Sequence, residues 1–458
     1  MFHVKLGSLG ARAMFHVERH QLSVLLRRSI LFQYETIRPP PVAFPRFRAS
    51  VISLARYSAL LLQPGLRSAI LASVIGRLPI GIAGLAILLL AQDRTGSFGT
   101  GGAIAASYVA GLAAVAPLLG RLIDRYGPRP TLLSCALAFP SALAGLVVAL
   151  SAPAPLWPAF ALAAAAGASF PPITVCMRTF FKRRLKEDAL LATAYSLESV
   201  LIELIFILGP VLVALFVALA SPAVAVLFAA ACGGAGTLLF QRSQALQQWA
   251  IVERSPIGSL SEPRGRASLF GPLAETGFLP LLAVIVCYAS AFGLVEIGTI
   301  AFATETQGPA LAGVLLGIMS IGSAAGGLVY GSRSWRLPLA RQFPVMLGLM
   351  GLGVAPLALL SSTWAFGLWC LAAGIAMAPA LIMQSMLVAG NSRPEHSTEA
   401  FTWSTTALLA GVGLGLTAGG ALLEHAKSPA VFATAAALST TAGLLALLLV
   451  KTRNREQD

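Results

Sequence analysis

Charge is scarce in this chain. Of its 458 residues, 11% are Asp, Glu, Lys or Arg, against 57% hydrophobic, where a soluble globular chain carries roughly 25% charged residues. A pair of water-soluble domains, the default for this length, is therefore excluded. Cysteine is sparse too. Cys135, Cys176, Cys232, Cys287 and Cys370 fall singly into separate apolar runs without CxxC spacing, which speaks against a disulfide framework or a thiolate metal site and reads each as a buried small hydrophobe. The five histidines, His3, His16, His20, His396 and His425, show no HExxH spacing. No lysine follows a glycine, so the phosphate-cradling loop of an ATP-driven pump is missing. Neither an enzyme, nor a metal site, nor a cofactor is expected.

What the chain has instead is apolar length. Runs long enough to cross a bilayer recur at 68–91, 101–119, 131–151, 156–177, 194–216, 221–240, 278–301, 310–330, 343–361, 364–388, 399–421 and 429–450. Twelve spans predict an all-α integral membrane protein. The net charge of +14 is distributed accordingly. Arg121, Arg125 and Arg129 lie between spans two and three, and Arg178, Lys182, Arg183, Arg184 and Lys186 between spans four and five. Arg242, Arg254, Arg264 and Arg266 lie in the central loop, with Arg333, Arg336, Arg341, Arg393, Lys451, Arg453 and Arg455 further on. The intervening loops on the other side hold only Arg94 and Lys427. This is the positive-inside pattern. It predicts both termini in the cytoplasm and a cell (plasma or inner) membrane location, and it makes nucleic acid an unsuitable partner.

The organisation expected is a basic tail over 1–67, a six-helix bundle over 68–240, a cytoplasmic linker over 241–277, a second six-helix bundle over 278–450 and a tail over 451–458. In the first tail, Met1-Phe2-His3-Val4-Lys5 nearly repeats as Met14-Phe15-His16-Val17-Glu18. The segment reads either as a basic arm that touches anionic lipid or as upstream sequence preceding a native start near Val51. The halves carry a faint duplication. Ala165-Ala166-Gly167 matches Ala372-Ala373-Gly374 at an offset of 207, at which Pro172 also matches Pro379 and Gly120 matches Gly327.

The most specific segment is Gly120-Arg121-Leu122-Ile123-Asp124-Arg125-Tyr126-Gly127-Pro128-Arg129, a short charged hairpin between spans two and three. Its order of Gly, three residues, Asp, a basic residue, one residue, Gly and further basic residues resembles the loop signature of the major facilitator superfamily. The resemblance implies two six-helix bundles that rock about a central site, with the hairpin acid engaging neighbouring helix ends and setting the balance between inward- and outward-facing states. Gly120, one turn before Asp124, suits close approach of a neighbouring helix. Gly209-Pro210 in span five looks like a remnant of the motif of proton-coupled drug antiporters in this superfamily, and a proline there bends the helix. Span four, read as ending at 177, lacks the embedded arginine seen in many such antiporters. Gly411, Gly415 and Gly419 form a small-residue stripe suited to tight helix packing.

Ionisable residues inside spans are costly and mark function by default. Arg77 lies near mid-depth in span one and Glu203 in span five, which suggests an Arg77–Glu203 pair that either couples proton entry to movement or simply joins helices. Glu198 lies about 140° around the same helix from Glu203, and Glu296 falls toward the outer end of span seven. By analogy with the superfamily, in which spans one, four, seven and ten line the cavity, the walls would draw on Phe170, Pro171, Met177, Tyr288, Trp369, Met377, Met383 and Gln384. Met and aromatic surfaces suit varied apolar ligands, although packing against lipid or core is the competing role for each. The function implied is a secondary transporter of the drug-efflux-like branch, exporting a small amphipathic or hydrophobic compound with protons as the candidate coupling ion. The alternatives are an uptake permease for a small metabolite, and a lipid mover or ligand sensor without coupled transport. The expected partners are a small-molecule substrate, protons and membrane lipid, and the expected state is a monomer.

Overall fold

The computed structural model describes residues 54–152, 155–243, 246–247, 271–275, 277–308 and 310–455. The pentapeptide repeat, the candidate start at Val51 and most of the linker lie outside them. Every regular element among the described residues is helical. In order they are α1 (Leu54–Leu61), α2 (Leu66–Arg77), α3 (Pro79–Thr95), α4 (Phe98–Tyr126), α5 (Pro128–Ser151), α6 (Trp157–Ala168), α7 (Ile173–Arg184), α8 (Asp188–Leu219) and α9 (Pro222–Arg242). After the linker come α10 (Phe278–Thr306), α11 (Ala310–Ser332), α12 (Leu339–Val354), α13 (Thr363–Gly374), α14 (Met377–Gly390), α15 (Ser397–Leu423) and α16 (Ser428–Arg455).

Proline explains where the spans divide. Pro79 opens α3 directly behind α2, so span one is two helices end to end. Pro171-Pro172 separates α6 from α7 within span four, because proline has no N–H to donate and disfavours helix at the residue before it. Among the described residues, eleven segments are long and apolar enough to cross a membrane. The twelfth, expected at 343–361, is the 16-residue α12 followed by a 3-10 turn over Ala355–Ala358 that contains Pro356. The twelve-helix arrangement stands, with a short ninth member. Helix α1 was not expected, since it lies within the stretch 1–67 read as a basic tail.

The two six-helix bundles comprise α2–α9 and α10–α16. The faint duplication has a physical counterpart in how each bundle packs. A Cβ at Gly111 would collide with the Ala164 carbonyl and one at Gly167 with the Tyr108 carbonyl, where α4 crosses α6. In the second bundle, Gly322 faces the Leu371 carbonyl and Gly374 the Met319 carbonyl in the same way, where α11 crosses α13. Each crossing is therefore backbone against backbone, which the matched Gly167 and Gly374 require. Elsewhere Gly209 of α8 lies against Gly81 of α3, so Gly209-Pro210 marks a helix crossing. The stripe of Gly411, Gly415 and Gly419 carries α15 onto α10, against Ala289, Ser290 and Ile297.

One apolar core, including Ile87, Phe139 and Val226, belongs to the first bundle alone. The other runs across the junction between bundles. There Phe181, Tyr195 and Phe401 form a chain of ring contacts, with centroids 6.3 and 6.2 Å apart. The junction is thus packed with apolar rings beneath the charged contacts described below.

The glycine stripe supplies a direct test. Gly413 lies between Gly411 and Gly415 on the same helix and has open space where its Cβ would be. Gly415→Ala is expected to lower the thermal unfolding midpoint of the purified protein through overpacking, which costs about 1–3 kcal/mol. Gly413→Ala should leave the midpoint unchanged or raise it slightly, as better helix propensity dictates.

Candidate functional site

The charged hairpin sits where the two bundles meet, at the end of the molecule that carries the basic loops. Gly127, with φ +83°, ends α4 and turns the chain into α5. Asp124, in the last turn of α4, reaches across to the start of α15. Its Oδ1 accepts the backbone N–H of Thr398 at 3.1 Å and its Oδ2 that of Glu399 at 2.8 Å. The first N–H groups of a helix have no partner within it, and the helix dipole favours an anion there. No side chain of its own caps α15, so a carboxylate from the other bundle does so. Gly120 makes the approach possible, because a Cβ there would strike Thr402 and the Glu399 backbone.

The neighbouring charges reinforce the contact. Arg121 binds Glu399 bidentately, Nη2 to Oε1 at 2.6 Å and Nε to Oε2 at 3.1 Å. Arg183 Nη2 is 3.7 Å from Asp124 Oδ1 and donates to the Pro394 carbonyl at 3.2 Å. Lys182 Nζ donates to the Ser392 carbonyl at 2.6 Å, Ser392 Oγ at 2.9 Å and Ser397 Oγ at 3.0 Å. Arg125 and Arg129 are exposed and take no part in this cluster; the Arg125 guanidinium lies 5.2 Å over the Tyr126 ring.

A second seam closes beside the first. Thr193 Oγ1 donates to the Gly331 carbonyl and Ser196 Oγ to the Gly327 carbonyl, each at 2.6 Å, joining α8 to α11. Helix α1 covers this seam. Its Tyr57 hydroxyl is 2.8 Å from Ser196 Oγ and donates to the Leu328 carbonyl, and Arg56 donates to Ser334 Oγ at 2.6 Å.

The expected Arg77–Glu203 pair is not formed. Arg77 Nη2 lies 3.4 Å from Glu198 Oε1 instead, and Glu198 Oε2 lies 3.4 Å from Arg178 Nε. Glu203 accepts a hydrogen bond from Ser323 Oγ of α11 at 2.7 Å. The angular separation of the two glutamates explains the difference: Glu198 faces into its own bundle and Glu203 faces the other one. Arg178 also corrects the sequence reading. It was assigned to a loop because hydropathy falls from Arg178 onward, yet α7 continues to Arg184 and the Arg178 side chain is 12% exposed. Span four therefore does hold an embedded arginine. Glu296 stands exposed on α10.

The expected cavity residues divide. Tyr288, Gln384 and Ser404 form a buried polar chain in which the Tyr288 hydroxyl donates to Gln384 Oε1 and Gln384 Nε2 donates to Ser404 Oγ at 2.6 Å. Met177 and Met383 are buried in the core that crosses the junction, and Met377 is partly buried against it. Phe170 packs edge-on against Phe139 inside the first bundle. Trp369 donates to the Gly353 carbonyl, toward the α12 side of α13. These two are held within their own bundles, away from Tyr288 and Gln384.

Lys182, Arg183, Ser397, Glu399 and Tyr57 were missed as site residues. Lys182 and Arg183 were visible only as loop charge. For Glu399, an acid at the start of an apolar span on the same side as Arg121 was the one available signal.

The family model of the Major Facilitator Superfamily matches residues 69–367 and 281–458. Among solved structures, the human organic anion transporter MFSD10 (TETRAN) aligns with a TM-score of 0.63 and 18% identity, covering 84% of this chain and all of that one. A bacterial homologue of the iron transporter ferroportin, in its outward-facing state, aligns with a TM-score of 0.66 and 15% identity, covering 84% of this chain and 98% of that one. No curated protein sequence matches the chain.

The capping contact can be read by hydrogen exchange. The Thr398 and Glu399 amides are expected to exchange roughly tenfold faster in Asp124→Ala than in wild type, given up to ~2 kcal/mol for a carboxylate at a partly buried helix N-terminus. The conservative Asp124→Asn variant should fall between them. Equal protection in all three would mean that the carboxylate does not hold this helix end.

Proposed function

The chain belongs to the major facilitator superfamily, and on that premise we propose that this membrane transporter works by alternating access and exports a small amphipathic compound. The observation that carries this reading is the capping of α15 by Asp124 of the opposite bundle. A contact that satisfies a helix N-terminus in trans is made or broken as a unit, which is what a switch between two packed states needs. The positive-inside rule supports a cytoplasmic location for this end, which carries the basic loops, with both termini on that side. The arrangement is then an outward-facing one, closed to the cytoplasm.

Export against a gradient needs a coupling ion, and Glu203 is our candidate carrier for the proton. It is a carboxylate within a span that bonds to the opposite bundle through Ser323. Protonation removes the charge that this seam otherwise has to accommodate, and so changes the relative stability of the closed and open arrangements. Pairing with Arg77 is not required, because Arg77 is engaged elsewhere.

In proteoliposomes carrying a pH gradient, wild type is expected to show proton flux that depends on an added amphipathic substrate. Glu203→Gln should lose that flux while remaining folded. Substrate movement at wild-type rate in the variant would assign Glu203 to packing and leave coupling to another group. Uptake against the imposed gradient would reverse the proposed direction.

A further inference from the structure

Three charged side chains meet inside the first bundle without cancelling. Arg77 at the end of α2 and Arg178 in α7 share the single carboxylate of Glu198 in α8, one guanidinium on each oxygen at 3.4 Å. The Arg77 and Glu198 side chains are each 2% exposed, and the trio carries one net positive charge. Both contacts exceed the 2.7–2.9 Å typical of an N–H donor on a carboxylate. Arg77 Nε and Nη2, Arg178 Nε and both Glu198 oxygens make no hydrogen bond. The same chain shows what a closed pair looks like: Arg121 grips Glu399 bidentately at 2.6 and 3.1 Å. A purely structural ion pair at this depth would be expected to close likewise, because an unpaired buried charge is strongly unfavourable.

The location adds a second observation. Within the membrane half of α7, from Ile173 to Phe181, Thr174 and Arg178 alone are partly exposed. They are four residues apart and so share one face of the helix. Helix α7 itself packs against α14, which carries Gln384, and α15, which carries Ser404, in the second bundle. Tyr288 begins the buried polar chain through Gln384 to Ser404. The cationic cluster therefore borders the place where the bundles converge.

We propose that Arg77 and Arg178, balanced by Glu198, bind the single anionic head group of the transported molecule, so that the substrate is an amphipathic organic anion such as a carboxylate or sulfonate. This rests on the transport reading above. One added negative charge neutralises the trio and gives the free guanidinium N–H groups an acceptor. A cationic amphiphile is repelled, and a neutral one leaves the donors unsatisfied. Glu198 occupies the same guanidiniums, so it competes with the ligand and restricts the site to one charge.

The test uses one apolar body with four heads: 1-naphthoate, 1-naphthalenesulfonate, 1-naphthamide and 1-naphthylmethylammonium. Binding to the purified full-length protein is read from the concentration dependence of its thermal unfolding midpoint. Wild type should be stabilised by the carboxylate and the sulfonate, and not by the amide or the ammonium. Glu198→Gln should bind the anions severalfold tighter. Arg178→Gln should weaken them at least tenfold, and Arg178→Lys, which keeps the charge should Arg178→Gln fail to fold, should weaken them less. The proposal is overturned if the amide binds as well as the carboxylate, if Arg178→Gln binds naphthoate undiminished, or if neither wild type nor Glu198→Gln binds either anion. The same four compounds in proteoliposomes separate the two readings. Transport of the ammonium or amide keeps the transporter and removes the anion site. Anion binding without transport of any member keeps the site and removes the transport reading.

Discussion

The arrangement of the two bundles depends on a carboxylate that satisfies another helix's end. Asp124 belongs to the first bundle by chain and to the second by hydrogen bonding, since the first N–H groups of α15 have it as their acceptor. Around it the contacts are layered by polarity. Arg121, Lys182 and Arg183 bind the α15 region at the rim, and the Phe181–Tyr195–Phe401 rings pack beneath. A rim of charge over an apolar floor excludes water from the capping bonds, and in a lower dielectric those bonds are stronger than they would be in water. These contacts together join the two bundles at the basic end.

Glycine supplies the complementary constraint. Within each bundle the helices cross backbone to backbone at Gly111, Gly167, Gly322 and Gly374, which gives rigid bodies with little side-chain adjustment between them. Between the bundles the contacts described are hydrogen bonds, an ion pair, rings and a shared apolar core. Such a division, stiff within and exchangeable between, is what rocking of two bodies requires. Gly120 and Gly331 join the two schemes, since a Cβ at Gly120 would strike Thr402 of α15 and one at Gly331 would strike Ser196 of α8. Gly120 lets α15 come close enough for Asp124 to reach its end.

Much of this was legible in the sequence, for reasons that differ by residue. The twelve apolar runs are a consequence of bilayer thickness, so length and composition disclosed them, and among the described residues the run ending in the 3-10 turn at Pro356 alone fell short of spanning length. The hairpin was legible because its residues are consecutive. Asp124 and Gly120 could therefore be given roles, but the acceptor and donor geometry with Thr398, 274 residues away in the chain, could not. The charged trio went astray for a related reason. Depth along a helix can be counted from sequence and favoured Glu203 as the partner of Arg77, while the direction a side chain faces depends on which helices pack together. Arg178 was hidden by its neighbours: Lys182, Arg183 and Arg184 follow it closely, and a hydropathy window cannot separate an embedded arginine from the loop cations that come after. The duplication was faint because Ala and Gly match by chance, and it gained meaning only once Gly167 and Gly374 were seen at equivalent crossings.

Under the proposed function, Asp124 holds the basic end shut. Spin-label distances between the two bundles, measured in lipid with one label pair at exposed Arg129 and Arg336 and a second pair at exposed Trp157 and Trp364 toward the opposite end, test it most directly. In Asp124→Ala the account predicts a new, longer population for the first pair, accompanied by a shorter one for the second. Distance distributions identical to wild type at both ends would contradict it.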